Sequence, residues 1–283
     1  MKKSIPLSVK VAGPSPAPST SFLFNNNRTW IMGVLNATPD SFYAGSRGLP
    51  SEAGDVIDIG GESSRPGAED VSEAVELGRV LPAIEAVRAR WPLVPLSIDT
   101  QKAEVARQAL AHGAAIINDI SALRSDPLMA EVVAEAGCPV ILMHMQGTPR
   151  TMQANPHYAN VVDEVKQFFE ERLCFAVRQR ISEDRIVLDP GIGFGKTLEH
   201  NMALLKHLSA FLTFGRPLLV GVSRKSFIGR LHDSTIPLPA EDRLEGSLAA
   251  GLWAVQQGAS GLRVHDVEAT RRALNVWQGI ARA

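Results

Sequence analysis

Asp99, Asn118, Asp189, Ser223, Lys225 and His265 lie far apart in the chain, yet each stands at or just past the end of a short apolar run. The types divide by chemistry. Asp99, Asn118 and Asp189 offer acceptors that can bind the donor edge of a nitrogen heterocycle and stabilise positive charge developing on it. Helix capping is their alternative use, and of the neighbours Asn118 and Asp119 one is expected to serve structure. Ser223-Arg224-Lys225-Ser226 and Arg263-Val264-His265 bring two Arg, a Lys and a His, a set that can hold a diphosphate through charge-assisted bonds. Asn36 opens Asn36-Ala37-Thr38-Pro39-Asp40-Ser41-Phe42. Its amide oxygen suits Mg2+, a hard ion that takes few protein ligands, and it suits a turn equally well.

Two glycine-rich segments add shape. Gly60-Gly61-Glu62-Ser63-Ser64-Arg65-Pro66-Gly67 combines hydroxyls, a planar guanidinium and glycines that permit close approach to a ligand. Pro190-Gly191-Ile192-Gly193-Phe194-Gly195-Lys196-Thr197 imitates a nucleotide loop, but Pro190 stands where GxxxxGK followed by Ser or Thr requires its first Gly. Its glycines instead let a loop pack beside a flat ligand, with Phe194 available to stack. His144 sits between Met143 and Met145 and reads as packing. His157, His200, His207 and His232 share no zinc spacing, and no GxSxG marks a serine nucleophile.

The elements that must position these residues are eight apolar runs. They are Ile31–Leu35, Val56–Ile59, Leu96–Ile98, Ala115–Ile117, Val140–Met143, Ile186–Leu188, Leu218–Val222 and Leu262–Val264. Runs of this length between helix-like stretches read as buried parallel strands. Eight of them predict an α/β fold, a closed (β/α)8 TIM barrel whose strand ends converge on one mouth. In such barrels the region after strands 7 and 8 is a common phosphate site, and here it carries the two basic clusters. Helices are predicted over Val71–Ala89, Gln101–Ala111 with Thr100 as cap, a segment opened by Asp126-Pro127, Tyr158–Arg180, Asn201–Leu212, Glu241–Gln257 and Asp266–Ile280. Tyr43–Ile57 has room for one turn at most, at Ser51–Ala53, so the first barrel helix is expected to be missing or vestigial. Residues 1–29 read as a leader, a β-hairpin including Ile5–Val11 or a disordered tail, before a single barrel domain over 30–283.

The bulk properties fit an enzyme of small molecules. The chain has 283 residues, 45% of them apolar, enough for the core of one barrel. A formal net charge of −1 gives no basic field for nucleic acid. No segment is long and apolar enough to span a membrane. Two cysteines are too few for a disulfide framework, and a reducing cytoplasm is the expected location.

In order along the chain, MGVLNATPDSF, DIGGESSRPG, SIDT, IINDIS, LMHMQGTP, LDPGIGFGK, LLVGVSRKSFIG and RVHDV resemble the dihydropteroate synthases, from Met32 to Val267. The resemblance implies a TIM barrel of folate synthesis. It would join p-aminobenzoate to 6-hydroxymethyl-7,8-dihydropterin diphosphate, giving 7,8-dihydropteroate and diphosphate. It further implies that Asp99, Asn118, Asp189 and Lys225 hold the pterin, and that Asn36, Arg263 and His265 hold the diphosphate and Mg2+. Ser64, Arg65 and Pro66 in loop 2, Phe42 in loop 1, Phe194 with Gly193 beside it, and Ser223 would frame the p-aminobenzoate pocket. The implied chemistry is a dissociative displacement, and family members are commonly homodimers through barrel-wall helices.

The sequence departs from the family in three places. The family carries a full first helix, whose loss is expected to expose apolar barrel wall and weaken stability. It usually has Thr where Ser64 stands. Loop 1 reads TPDSFYAGS where SFSDGG is typical. Three other functions compete with an active synthase: a degenerate pterin-binding barrel without activity, a sulfonamide-tolerant synthase with the same reaction, and a methyl-transfer barrel. A methyl-transfer barrel would have no diphosphate for the basic clusters to hold.

Overall fold

The computed structural model describes residues 20–24, 28–37, 52–232 and 235–283. In it all eight runs form parallel strands: β1 Trp30–Asn36, β2 Val56–Gly60, β3 Leu96–Asp99, β4 Ile116–Asp119, β5 Val140–Met143, β6 Ile186–Asp189, β7 Leu219–Val220 and β8 Gly261–Val264. The sheet order β6-β5-β4-β3-β2-β1-β8-β7 is that of a barrel. It closes at one parallel bridge between Leu188 and Leu218, beside which the Leu188 amide donates to the Pro217 carbonyl at 2.9 Å.

Strand alternation divides the side chains between two environments. Ile57, Ile59, Leu96, Ile98 and Ile117 point out and join the shell packed under the helices. Trp30, Met32, Val56, Ile116, Ile141, Val187 and Leu219 form a separate cluster that fills the floor of the interior, with Leu23 of the 3-10 turn Ser21–Phe24 added to it. Trp30 covers Gly261 so closely that a Cβ there would lie 2.4 Å from its ring, which requires glycine. Above this floor the inward positions turn polar, and that change of character creates the site.

Eight helices stand among the described residues: α1 Glu73–Arg90, α2 Ala103–Ala111, α3 Met129–Ala136, α4 Val161–Arg178, α5 Leu198–Lys206, α6 Ser226–His232, α7 Leu244–Gln256 and α8 Val267–Arg282. Two starts differ from expectation. Thr100 does not cap α2; its hydroxyl accepts the Lys102 amide. The first amide of α2, on Ala103, is taken by Asp126 Oδ2 at 2.8 Å. Asp126 therefore serves two helices, since its Oδ1 accepts the Leu128 amide ahead of α3. The long segment after Lys196 is α5 followed by a 3-10 stretch over Leu208–Phe214, with a capping box between Thr197 and His200 at its start.

The expected leader hairpin at Ile5–Val11, loop 1 with Phe42, and Tyr43–Ser51 lie outside the described residues. Glu52–Asp55, just before β2, contains no helix. Among the described residues of β1 and β2 the expected exposure of apolar wall is not found. Ile31 and Leu35 of β1 and Ile57 and Ile59 of β2 are all buried. The α8 helix packs tightly on β1, where a Cβ at Gly33 would stand 2.9 Å from Val267 Cγ2. Among the described residues no helix is long and apolar enough to cross a membrane, and Cys138 and Cys174 are free thiols.

Candidate active site

The polar inward positions converge at the mouth. One pocket is lined by Ser64, Asp99, Asn118, Asp189, Phe194, Ser223, Lys225, Arg263 and His265, together with Val34, Ile120, Met143 and Gly221. Nine of the residues singled out from sequence thus share a single cavity, though they come from six strands or the loops after them.

Arg263 organises one wall. Its Nε donates to Asp58 Oδ2 and its Nη2 to Asp99 Oδ2, both at 2.7 Å. Asn118 Nδ2 donates to the same Asp58 oxygen at 3.0 Å. Burial opposes the charge on Arg263, but Asp58 and Asp99 hold its pKa above the usual range. Burial also raises the Asp99 carboxyl, with Arg263 pulling the other way. Asp58 is fully buried, and its Oδ1 has no hydrogen-bond partner.

Lys225 and Asp189 face each other across the opposite side. Burial pushes Asp189 up while the charge of Lys225 counters it, and the Gly191 amide donates to Asp189 Oδ1 at 2.7 Å. Burial lowers Lys225 to about 8 against the pull of Asp189. The Lys225 ammonium lies 4.6 Å from the centre of the Phe194 ring and donates to the Ile192 carbonyl. Arg224, just before it, has a left-handed φ of 57°. That turn sends Arg224 outward onto Asp266, with Nε donating to Oδ2 at 2.9 Å, and leaves Lys225 in the mouth. Both arginines of the basic clusters are therefore paired with carboxylates. Lys225, His265 and Arg263 Nη1, which has no partner among the described residues, remain to meet an anion. His265 Nδ1 lies 3.1 Å from Ser223 Oγ, and burial, with Arg263 and Arg224 nearby, takes its pKa down to about 4. It is a neutral imidazole at neutral pH.

The glycine loop after β6 owes its shape to Lys196. This side chain is only 2% exposed, and its Nζ meets His144 Nδ1 at 2.9 Å, the Phe194 carbonyl at 2.9 Å and the His144 carbonyl at 3.3 Å. Burial takes His144 down to about 2, so its ring is neutral, and burial also pushes Lys196 well below the ordinary lysine range. A Cβ at Gly191 would lie 1.9 Å from the His144 carbonyl oxygen, which fixes glycine at that position. A Cβ at Gly193 would lie 3.1 Å from Lys225 Cδ, so that glycine leaves room for the ammonium arm. Asn36 ends β1 on the inward register, opposite Gly60, and makes no side-chain hydrogen bond among the described residues. Arg65 and Pro66 are exposed on the rim and do not line the pocket.

The family model for pterin binding enzymes matches residues 32–265. Dihydropteroate synthase of Haemophilus influenzae is 46% identical over 265 residues, covering 89% of this chain and 94% of that protein. The Synechocystis enzyme is 44% identical, covering 93% of this chain and 94% of its own length. The chain belongs to the dihydropteroate synthase family. Among solved dihydropteroate synthases, the Yersinia pestis enzyme in complex with a sulfonamide drug superimposes with a TM-score of 0.84 at 42% identity, covering 92% of this chain and 96% of that one. The Xanthomonas albilineans enzyme with 4-aminobenzoic acid gives 0.82 at 43% identity, covering 91% and 95%.

Against this dihydropteroate synthase site, sequence reasoning missed Asp58 and Lys196. Asp58 carried a signal, being a charge inside the apolar run Val56–Ile59 on the inward register. Lys196 had only its place after a glycine loop, where its partner His144 could not be inferred.

Proposed function

We propose that this barrel condenses p-aminobenzoate with 6-hydroxymethyl-7,8-dihydropterin diphosphate to give 7,8-dihydropteroate and diphosphate by a dissociative displacement. The observation that carries this reading is the convergence of buried carboxylates, Asp99 and Asp189, with Lys225, Arg263 and His265 in one pocket. Asp99, Asn118 and Asp189 accept from the donor edge of the pterin, and Lys225 lies over its rim. The bond from the exocyclic carbon to the diphosphate oxygen breaks, leaving positive charge on the pterin. Burial makes the charge on Asp99 and Asp189 costly in the empty site. A cation forming between them relieves that cost, so the carboxylates stabilise the transition state more than the ground state. The arylamine nitrogen then bonds to the carbon and gives up a proton. An aniline is nucleophilic as the free amine, so positioning by Ser64, Phe194 with Gly193, Ser223 and, from loop 1, Phe42 carries that step, with Arg65 and Pro66 bordering it on the rim.

The departing diphosphate meets Lys225, Arg263 and His265. Mg2+ bound at Asn36 would neutralise part of its charge. Asn36 fits such an ion, being a hard oxygen donor without a side-chain partner among the described residues. No group of three or more His, Cys, Asp or Glu able to hold a metal occurs among them, which suits an ion that takes most of its ligands from phosphate and water. The same reading includes a cytoplasmic homodimer. Trp253 of α7 and Val276 and Ile280 of α8 are 45%, 65% and 74% exposed, apolar side chains on these wall helices that a second copy would cover.

The test is diphosphate release from purified protein given pterin diphosphate, Mg2+ and p-aminobenzoate. Release that depends on p-aminobenzoate supports the reading. Folded protein that binds the pterin but releases nothing would point instead to a pterin-binding barrel without activity.

A further inference from the structure

Loop 2, which carries Ser64 to the pocket, is fixed to the barrel at its root by a partly buried ion triad. Gly61 begins the loop, and a Cβ there would lie 2.7 Å from Val80 and 2.9 Å from Glu76 Cγ, so the backbone lies directly on α1. Arg79 Nη1 of that helix donates to the Gly61 carbonyl at 2.7 Å. Glu62 then turns inward. Its Oε1 accepts the Val71 amide at 2.7 Å, tying the two ends of the loop together across nine residues. Its Oε2 accepts from Lys102 Nζ at 2.9 Å, and the same ammonium reaches Glu76 Oε2 at 2.6 Å. Glu76 is fully buried, and its Oε1 has no hydrogen-bond partner. One cation thus serves two carboxylates that would otherwise repel each other.

We propose that Lys102 is a positioning residue for the arylamine subsite. Its ammonium holds Glu62, Glu62 holds the ends of loop 2 together, and the closed loop presents Ser64 to the pocket. Lys102 comes three residues after Asp99, at the N-cap of α2. A narrow gap lined by Glu62, Ser63, Ser64, Asp99, Thr100, Gln101 and Ile120 separates the loop from that strand end. The loop tip has its own tether, the Gly67 amide donating to the Pro149 carbonyl at 3.1 Å. Without the ammonium, Glu62 faces Glu76 with no counter-charge. It would swing toward water and release the Val71 amide, and the root of the loop would loosen while the tip stays tied. The pterin acceptors Asp99 and Asn118 keep their own partners, Arg263 and Asp58. The effect therefore falls on the arylamine rather than the pterin.

This inference rests on the synthase reading for its kinetic arm and on geometry alone for its exchange arm. Lys102→Met is expected to raise the KM for p-aminobenzoate tenfold or more, with the KM for pterin diphosphate within twofold of the parent. Amide exchange at Val71 should speed by tenfold or more while core strand amides are unchanged. Lys102→Arg should restore the p-aminobenzoate KM to within threefold. Arg107→Ala, which breaks an exposed pair with Glu104 on the same helix, should change none of these. Equal shifts in both KM values, or unaltered Val71 exchange, would overturn the proposal. Should Lys102→Met fail to fold, Glu62→Gln is read in the same way, with the same split required. A parent protein that releases no diphosphate defeats the synthase reading, and Val71 exchange still decides the role of Lys102.

Discussion

Replacing Arg263 with Met tests the polar wall of the mouth through stability, apart from catalysis. Arg263 is bonded to both Asp58 and Asp99 at 2.7 Å, and those carboxylate side chains are 0% and 10% exposed. Methionine keeps much of the volume but strands two buried carboxylates. Breaking a buried pair in this way costs roughly 3–5 kcal/mol. At about 2–4 °C per kcal/mol for a domain of this size, Tm should fall by about 6–20 °C. The loss should depend on pH. Burial already raises the folded pKa of Asp99, and Arg263 is what opposes it. In the variant that burial acts unopposed. A carboxyl whose folded pKa lies above its unfolded value of about 3.9 binds more protons when folded, so stability falls as pH rises through the folded value. The deficit should be small near about pH 5 and largest near about pH 8, as read by thermal unfolding at both. Adding Asp58→Asn removes one stranded charge and should recover part of the lost Tm while diphosphate release stays depressed. A deficit of the same size at both pH values would refute the reasoning.

Four further outcomes follow from the same geometry. Lys225→Ala should lower kcat/KM by tenfold or more, the loss of about one charged hydrogen bond. In the parent, kcat/KM should fall above about pH 8, where burial has placed the Lys225 pKa; Lys225→Arg should remove that alkaline limb, and a limb that persists in the Arg variant would assign it to another group. Ser64→Thr should change the KM for p-aminobenzoate more than that for the pterin, and the reverse would take loop 2 out of the arylamine pocket. Gly261→Ala should cost about 1–3 kcal/mol by urea unfolding, as overpacking does, because the added methyl would meet the Trp30 ring, while kcat stays at the parent level; an unchanged midpoint would show that the barrel floor can shift.

The strands were legible because parallel strands buried on both faces must be apolar throughout, and the first polar residue after each marks the mouth. That alone placed Asp99, Asn118 and Asp189 together. Pairing was not legible. Arg224 and Arg263 look alike as basic residues near the ends of strands 7 and 8, yet a left-handed turn sends the first to Asp266, while alternation within β8 sends the second to Asp58 and Asp99. Helix starts were misread where the cap comes from elsewhere in the chain, as Asp126 does for Ala103. Sequence showed the shortness of the connection between β1 and β2, but not that α8 packs onto β1 at Gly33.

The way the barrel closes has a consequence for ligand binding. Neighbours such as β1 and β2 or β5 and β6 share four or five register pairs, whereas β6 and β7 meet at the lone Leu188–Leu218 bridge. Asp189 sits on one bank of that joint and Lys225 on the other. The joint with fewest hydrogen bonds is expected to open at the lowest free energy, which on the proposed reading is where the pterin would be gripped. A pterin bound to both residues spans the joint as a clasp. Its binding energy should therefore appear as slowed amide exchange at Leu188, a residue buried behind the site. On that reading the substrate would complete the stave that the strands leave loose.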